Sequence, residues 1–143
     1  MLRAKIQDHI KQAMKDKNQV RLDALRYLWS ELKNIEIDAK HELADSEIIE
    51  LISREVKKRK DAIEQFKSAN RHQLVDEEQA KLAVVMEFMP EQLTSEQIED
   101  LVDKIRETGV SDFPSVMKQL MPQIKGKADG KLVSEIVKQK TSV

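Results

Sequence analysis

The sequence predicts an all-α protein in two parts, and three observations carry that reading. Apolar residues recur at helical spacing along nearly all 143 residues, Gly and Pro number three each, and aromatic residues make up only 3%. So few backbone-permissive residues leave little material for the closely spaced turns of a β protein and favour long helices. A chain of this length holds one domain or two small ones.

Leu2, Ile6, Ile10 and Ala13/Met14 share a helical stripe that predicts a first helix ending near Lys15. Asn18 is placed to cap a second helix, whose stripe runs Leu22, Leu25, Leu28/Trp29, Leu32, Ile35 and Ala39. His41 to Ala44 breaks that pattern, and Asp45 or Ser46 is expected to cap a third helix. There Ile48, Ile52, Val56, Ile63 and Phe66 form the buried stripe. Arg59 and Lys60 interrupt it, which predicts a helix rising out of the core midway.

Ser68 to Arg71 reads as a turn, with Asn70 suited to the left-handed conformation. Asp76-Glu77-Glu78 is expected in the first turns of a fourth helix, where the helix dipole favours acids. Leu82 to Met86, followed by Phe88-Met89, is apolar nearly all round and should be buried on most sides. Pro90 ends it by disfavouring helical geometry at Met89.

The domain boundary is placed at Pro90 to Leu93, giving an N-terminal helical domain (1–89) and a tail domain (90–143). In the tail, Thr94-Ser95-Glu96-Gln97 reads as a capping box. Leu101, Val102 and Ile105 line the helix that follows, and Gly109 stops it. Asp112 caps the next, with Phe113, Val116, Met117, Leu120 and Ile124 on one face and Pro122 and Gly126 near its end. Asp129 caps a last helix carrying Leu132, Val133, Ile136 and Val137. Three short helices are close to the lower limit for an independent core.

Composition narrows the chemistry. The sequence has no cysteine, which removes disulfides, thiol nucleophiles and thiolate ligands together. The longest apolar run, Leu82 to Met86, is far short of a membrane span. Arg3, Lys5 and Asp8 leave no apolar region for a secretory signal. Asp8 and Asp16 weigh against reading the Leu2, Ile6, Ile10 stripe as an organelle presequence. The expected compartment is the cytoplasm.

Formal net charge is −1, but its distribution is uneven. Residues 1–89 balance, 91–112 carry two basic against seven acidic groups, and Phe113 onward carries six basic against two acidic.

No catalytic constellation emerges. His9, His41 and His72 lack metal-ligand spacing, and surface positions are the simplest reading for all three. There is no phosphate-binding glycine loop and no nucleophile elbow. Neither a metal nor a cofactor is expected.

Two basic features remain. Arg54, Lys57, Lys58, Arg59 and Lys60 lie on the third helix, where Glu50–Arg54, Glu55–Arg59 and Lys60–Glu64 are spaced as i, i+4 ion pairs. That spacing favours a solvated, salt-bridged face over a phosphate-binding one. The second is Lys125-Gly126-Lys127-Ala128-Asp129-Gly130-Lys131, with Lys118, Lys138 and Lys140 near in sequence. A glycine-bearing loop entering a helix can cradle phosphate on its N–H groups. Asp129, as the cap, would occupy those groups and repel an anion. Contact with nucleic acid would therefore run through the lysines as point charges, with Gly126 and Gly130 allowing close approach.

The run Leu120-Met121-Pro122-Gln123-Ile124-Lys125-Gly126-Lys127-Ala128-Asp129-Gly130-Lys131-Leu132-Val133, then Glu135-Ile136-Val137, closely resembles the signature of the GatB/YqeY domain. Arg21-Leu22 with Leu25-Arg26, and Lys58-Arg59 with Asp61-Ala62-Ile63, look like the N-terminal half of the YqeY family. Phe88-Met89-Pro90-Glu91-Gln92-Leu93 resembles that family's aromatic-Leu-Pro-x-Gln-Leu junction, with Met89 in place of leucine, Phe88 where tyrosine is common and Asn70 where glycine is expected.

The resemblance implies a helical N-terminal domain and a three-helix tail similar to that of the B subunit of glutamyl/aspartyl-tRNA amidotransferase, which touches the tRNA body. The expected function is an accessory, non-catalytic module binding tRNA or another structured RNA. Lys118, Lys125, Gly126, Lys127, Gly130, Lys131 and Lys138 would form the contact, and Arg54, Lys57, Lys58 and Lys60 a second patch. Trp29 lies on the core stripe, leaving Tyr27 as the main aromatic for stacking. The alternatives are an adaptor docking to an amidotransferase or synthetase, and a glutamine-dependent amidotransferase-type activity that requires a partner.

Overall fold

The computed structural model describes residues 1–141, and within them the chain forms seven α-helices and no strand. It divides into two compact units, Met1–Met89 and Pro90–Val143. The first holds α1 (Leu2–Lys15), α2 (Gln19–Ala39), α3 (Asp45–Ser68) and α4 (His72–Met86). The second holds α5 (Ser95–Glu107), α6 (Phe113–Ile124) and α7 (Gly130–Thr141).

In the first unit α4 packs on α2 and α3, while α1 lies along α2. Most residues of the expected stripes meet in one core, in which Ile6, Leu25, Leu28, Leu32, Ile48, Ile52 and Val85 are fully buried, whereas Ala39 is exposed. Each such side chain contributes about 1.5–3 kcal/mol of burial free energy. Asn18 caps α2 by accepting the Arg21 N–H at 3.2 Å. Asn70 takes the left-handed conformation at φ 57°, so the turn before α4 forms as expected.

Three local expectations change. Ala44, not Asp45 or Ser46, precedes α3; Glu47 accepts the Ala44 N–H at 3.1 Å, and Asp45 instead accepts the Leu2 N–H at the start of α1. Helix α4 begins at His72, so Asp76, Glu77 and Glu78 lie a turn further in than the dipole argument placed them. The apolar stretch after Leu82 is covered unevenly: Val84, Val85 and Phe88 are buried, but Ala83 is exposed.

The largest change is at Arg59. Helix α3 does not turn Arg59 to solvent there: the side chain is buried between Glu55 and Glu78, although the helix's share of the core ends at Val56. Its Nη1 donates to Glu78 at 2.9 Å, and its Nε sits 3.1 Å from Glu55 Oε1 without hydrogen-bond alignment. An ion pair replaces apolar contact at that point of the stripe, and Ile63 beyond it is buried outside the core that Ile48, Ile52 and Val56 share.

The second unit has its own core of Ile98, Val102, Ile105, Val116, Leu120, Ile124, Val133, Ile136 and Val137. Thr94 and Gln97 form both halves of the capping box at 2.9 and 3.2 Å. Asp112 caps α6 through the Ser115 N–H, and Gly109 follows α5 at φ +97°. Hydrogen bonding by Ser115 holds the Asp112 carboxyl below its ordinary value. Helix α6 runs through Pro122 and stops at Ile124.

Candidate nucleic-acid interface

The basic loop joins α6 to α7 and is held by backbone geometry. After α6 the chain turns at Gly126, whose φ of +77° is a region that suits glycine. The Lys127 N–H donates to Ile124 O at 2.8 Å and closes the turn. Asp129 accepts the Lys131 N–H at 3.3 Å, and its carbonyl accepts the Val133 N–H. The expected cap is therefore present, with its carboxylate on an N–H that an anion would need.

The segment entering this unit holds the loop from the other side. The Leu93 N–H donates to Lys127 O at 2.7 Å, and Gln92 Nε2 donates to Gly126 O at 3.0 Å and to Pro90 O at 2.8 Å. Two successive loop carbonyls are thus fixed by residues 34 positions earlier. Sequence reasoning treated Gln92 as part of a junction motif; its role in fixing the loop depends on tertiary contact, and no local pattern reveals it.

Lys125, Lys127 and Lys131 are exposed around this loop, with Lys118 exposed on α6 and Lys138 on α7. Among the described residues Lys118, Lys127 and Lys131 form no ion pair. Lys140 is committed, at 3.2 Å, to Asp103 of the acidic helix α5. Gly126 is half-buried and required by its conformation. A Cβ at Gly130 would meet open space, so that glycine has no packing constraint.

The second patch divides. Arg54, Lys57 and Lys58 are exposed on α3 and Lys60 is half-buried, while Arg59 turns inward to Glu55 and Glu78. Burial pushes the Glu55 carboxyl above its ordinary value, against the opposing pull of Arg59. The Arg59 guanidinium also lies 5.7 Å from the ring centroid of the half-exposed Tyr27, a cation–π contact.

The histidines occupy different environments. His41 and His72 are exposed, but His9 is partly buried, with its ring edge-on to Phe88 and its Nδ1 beside Arg21. Among the described residues no group of three His, Cys, Asp or Glu side chains is placed to hold a metal ion. No described helix is long and apolar enough to cross a membrane.

These features define a small all-helical protein whose C-terminal unit presents a fixed, lysine-bearing loop. The chain belongs to the family of Yqey-like proteins, whose family model matches residues 3–141. It is 33% identical over 141 residues to the Altered inheritance of mitochondria protein 41, mitochondrial, of Pyrenophora tritici-repentis, an alignment covering 94% of this chain and 78% of that protein. The protein of the same name in Lachancea thermotolerans is 33% identical over 87 residues, 60% of this chain and 46% of the relative. Its counterpart in Saccharomyces cerevisiae is 28% identical over 125 residues, 87% of this chain and 60% of the relative.

Those names overturn the cytoplasmic expectation, since all three relatives are designated mitochondrial. That expectation rested on the lack of a secretory signal and of a membrane span, and neither distinguishes the cytosol from the interior of an organelle. The Leu2, Ile6, Ile10 stripe is explained by packing: Ile6 is fully buried in the core, with Leu2 and Ile10 against it.

Proposed function

We propose that this chain is a non-catalytic accessory module that binds tRNA or another structured RNA, with the unit from Pro90 onward acting as a GatB/YqeY-type tail domain. The observation that carries the reading is the loop at Lys125 to Lys131. Its carbonyls are fixed by Gln92 and Leu93, and it presents Lys127 and Lys131 to solvent without ion pairs among the described residues. A rigid backbone bearing lysines suits contact with phosphates, which orients a partner without reading its bases. Structured RNA is recognised in this way, by shape and backbone. Asp129 keeps the α7 N-terminus from serving as the anion site, so the lysine side chains carry the contact.

Filter binding of total tRNA across a salt series tests the reading. Affinity is expected to fall steeply with salt, because each phosphate contact releases counterions. Lys127→Glu with Lys131→Glu is expected to weaken binding at low salt by at least about tenfold, or roughly 1.4 kcal/mol. No measurable binding at low salt, or binding unchanged by the double reversal, rejects it.

A second reading has a specific observation behind it. Helix α5 exposes Glu96, Asp100 and Glu107 while its apolar face is buried, a charged surface suited to a basic protein partner such as an amidotransferase or synthetase. A stable protein partner recovered by pull-down after nuclease treatment, with no RNA bound, favours the adaptor.

A further inference from the structure

The first unit carries a groove between α1 and α2 that the RNA reading does not use. It has a volume of about 390 Å³ and is lined by Gln7, Ile10, Lys11, Arg26, Trp29 and Ser30. That volume is within the range of small-molecule sites. No lining residue is acidic, and neither Lys11 nor Arg26 forms an ion pair among the described residues. Elsewhere in this unit Arg3 and Lys33 pair with Glu36, Arg21 with Glu87, and Arg59 with Glu55 and Glu78. Two cations from facing helices thus flank an aromatic side chain with no carboxylate among the lining residues.

Trp29 is not simply a core residue. It is partly buried against the core, and Arg3 lies 5.1 Å and Lys33 6.0 Å from its ring centroid, so the indole is held in place. Gln7 and Ser30 add a carboxamide and a hydroxyl, while Ile10 is the single aliphatic side chain in the lining.

We propose that this groove binds a nucleoside monophosphate, with the base packed against Trp29 and the phosphate between Lys11 and Arg26. A planar base gains from contact with an aromatic side chain whatever its sequence identity. Gln7 can donate to and accept from a base edge, and Ser30 can do the same for a base or ribose. A fatty carboxylate would share the anion and the apolar part, but its alkyl chain needs an aliphatic channel that one isoleucine does not supply.

The chain contains a single tryptophan, so its intrinsic fluorescence reports on this groove directly. Titration with AMP, excited at the red edge of indole absorption where the base does not absorb, is expected to give saturable quenching. Adenosine alone and inorganic phosphate alone should each bind at least about tenfold more weakly, since each meets only part of the site. Lys11→Glu with Arg26→Glu should abolish saturation. The neutral pair K11Q/R26Q should weaken it while circular dichroism confirms an intact fold. Absence of saturable quenching by AMP overturns the proposal. So does octanoate or inorganic phosphate binding as tightly as AMP, or AMP binding unchanged in the folded K11Q/R26Q variant. The result is separable from the RNA reading, because K127E/K131E is expected to lose tRNA affinity and keep the AMP response.

Discussion

Two N–H groups of Arg3 donate to the two carboxylate oxygens of Glu36, at 3.1 and 3.2 Å, across 33 residues of sequence. Glu36 is only 7% exposed and also accepts the Leu43 N–H at 2.9 Å, so one carboxylate joins α1, α2 and the chain leading into α3. Replacing it by Ala leaves the buried Leu43 amide unpaired and Arg3 with only the exposed Glu42, at 4.0 Å. E36A is expected to destabilise the unit by about 2 kcal/mol, read as a lower urea midpoint with an unchanged slope.

The acid dependence of stability contains two opposed contributions. Hydrogen bonding from Arg3, ahead of the Leu43 amide, holds the Glu36 carboxyl below its ordinary value despite burial. Its stabilisation is therefore present above the unfolded-state value and lost as pH falls through the folded-state one. Burial raises Glu55, so its charge costs stability at neutral pH, and that cost disappears on acidification. E36Q should be less stable than the parent at pH 7 with a flatter acid limb. E55Q should lose less at pH 7 and have a steeper limb, measured by urea midpoints from acid to neutral pH.

Removing the cation between Glu55 and Glu78 isolates that cost. R59M leaves Glu55 buried without its partner and is expected to lose about 3 kcal/mol at neutral pH. The loss should shrink on acidification, and E55Q/R59M should recover much of it. Additive single and double variants would mean the two groups are energetically independent.

The two glycines of the basic loop should respond differently to alanine. Gly126 has a φ of +77°, so G126A is expected to cost about 1–2 kcal/mol. Gly130 opens α7, and an added Cβ meets no atom within 4 Å, so G130A should be neutral or stabilising by about 0.5 kcal/mol. Thermal melts of the two variants should move in opposite directions or separate clearly.

In the second unit, Leu120 is fully buried among nine core residues. L120A is expected to cost about 2–5 kcal/mol. For a unit this small that is a large share of its total stability. Loss of near-native circular dichroism from this unit, with the first unit's urea transition retained, is the expected outcome.

What was legible in the sequence was what is local. Asn18, Thr94 with Gln97, and Asp112 cap the helices they precede, because a cap is decided within four residues. The apolar stripes likewise identified both cores. The burial of Arg59 is not legible, because a charge on a buried stripe reads as an exit to solvent unless its partner is known, and Glu78 lies on a different helix. The role of Asp45 is hidden for the same reason, since it accepts from Leu2, 43 residues away. For the candidate sites, the lysines and Gly126 were readable as composition. The hold of Gln92 on the loop and the convergence of Lys11, Arg26 and Trp29 depend on packing, which no single segment encodes.

The bond from the Leu93 amide to Lys127 O spans α5 and α6 in sequence, so it can close only after those helices have paired. Contacts of that separation bear a loop-closure cost that local helix formation does not. The Leu93 amide proton is consequently a timer for the second unit: it should gain protection from solvent exchange late in refolding. Under native conditions it should lose that protection together with the Lys127 amide, in one opening that releases the loop while the helices persist.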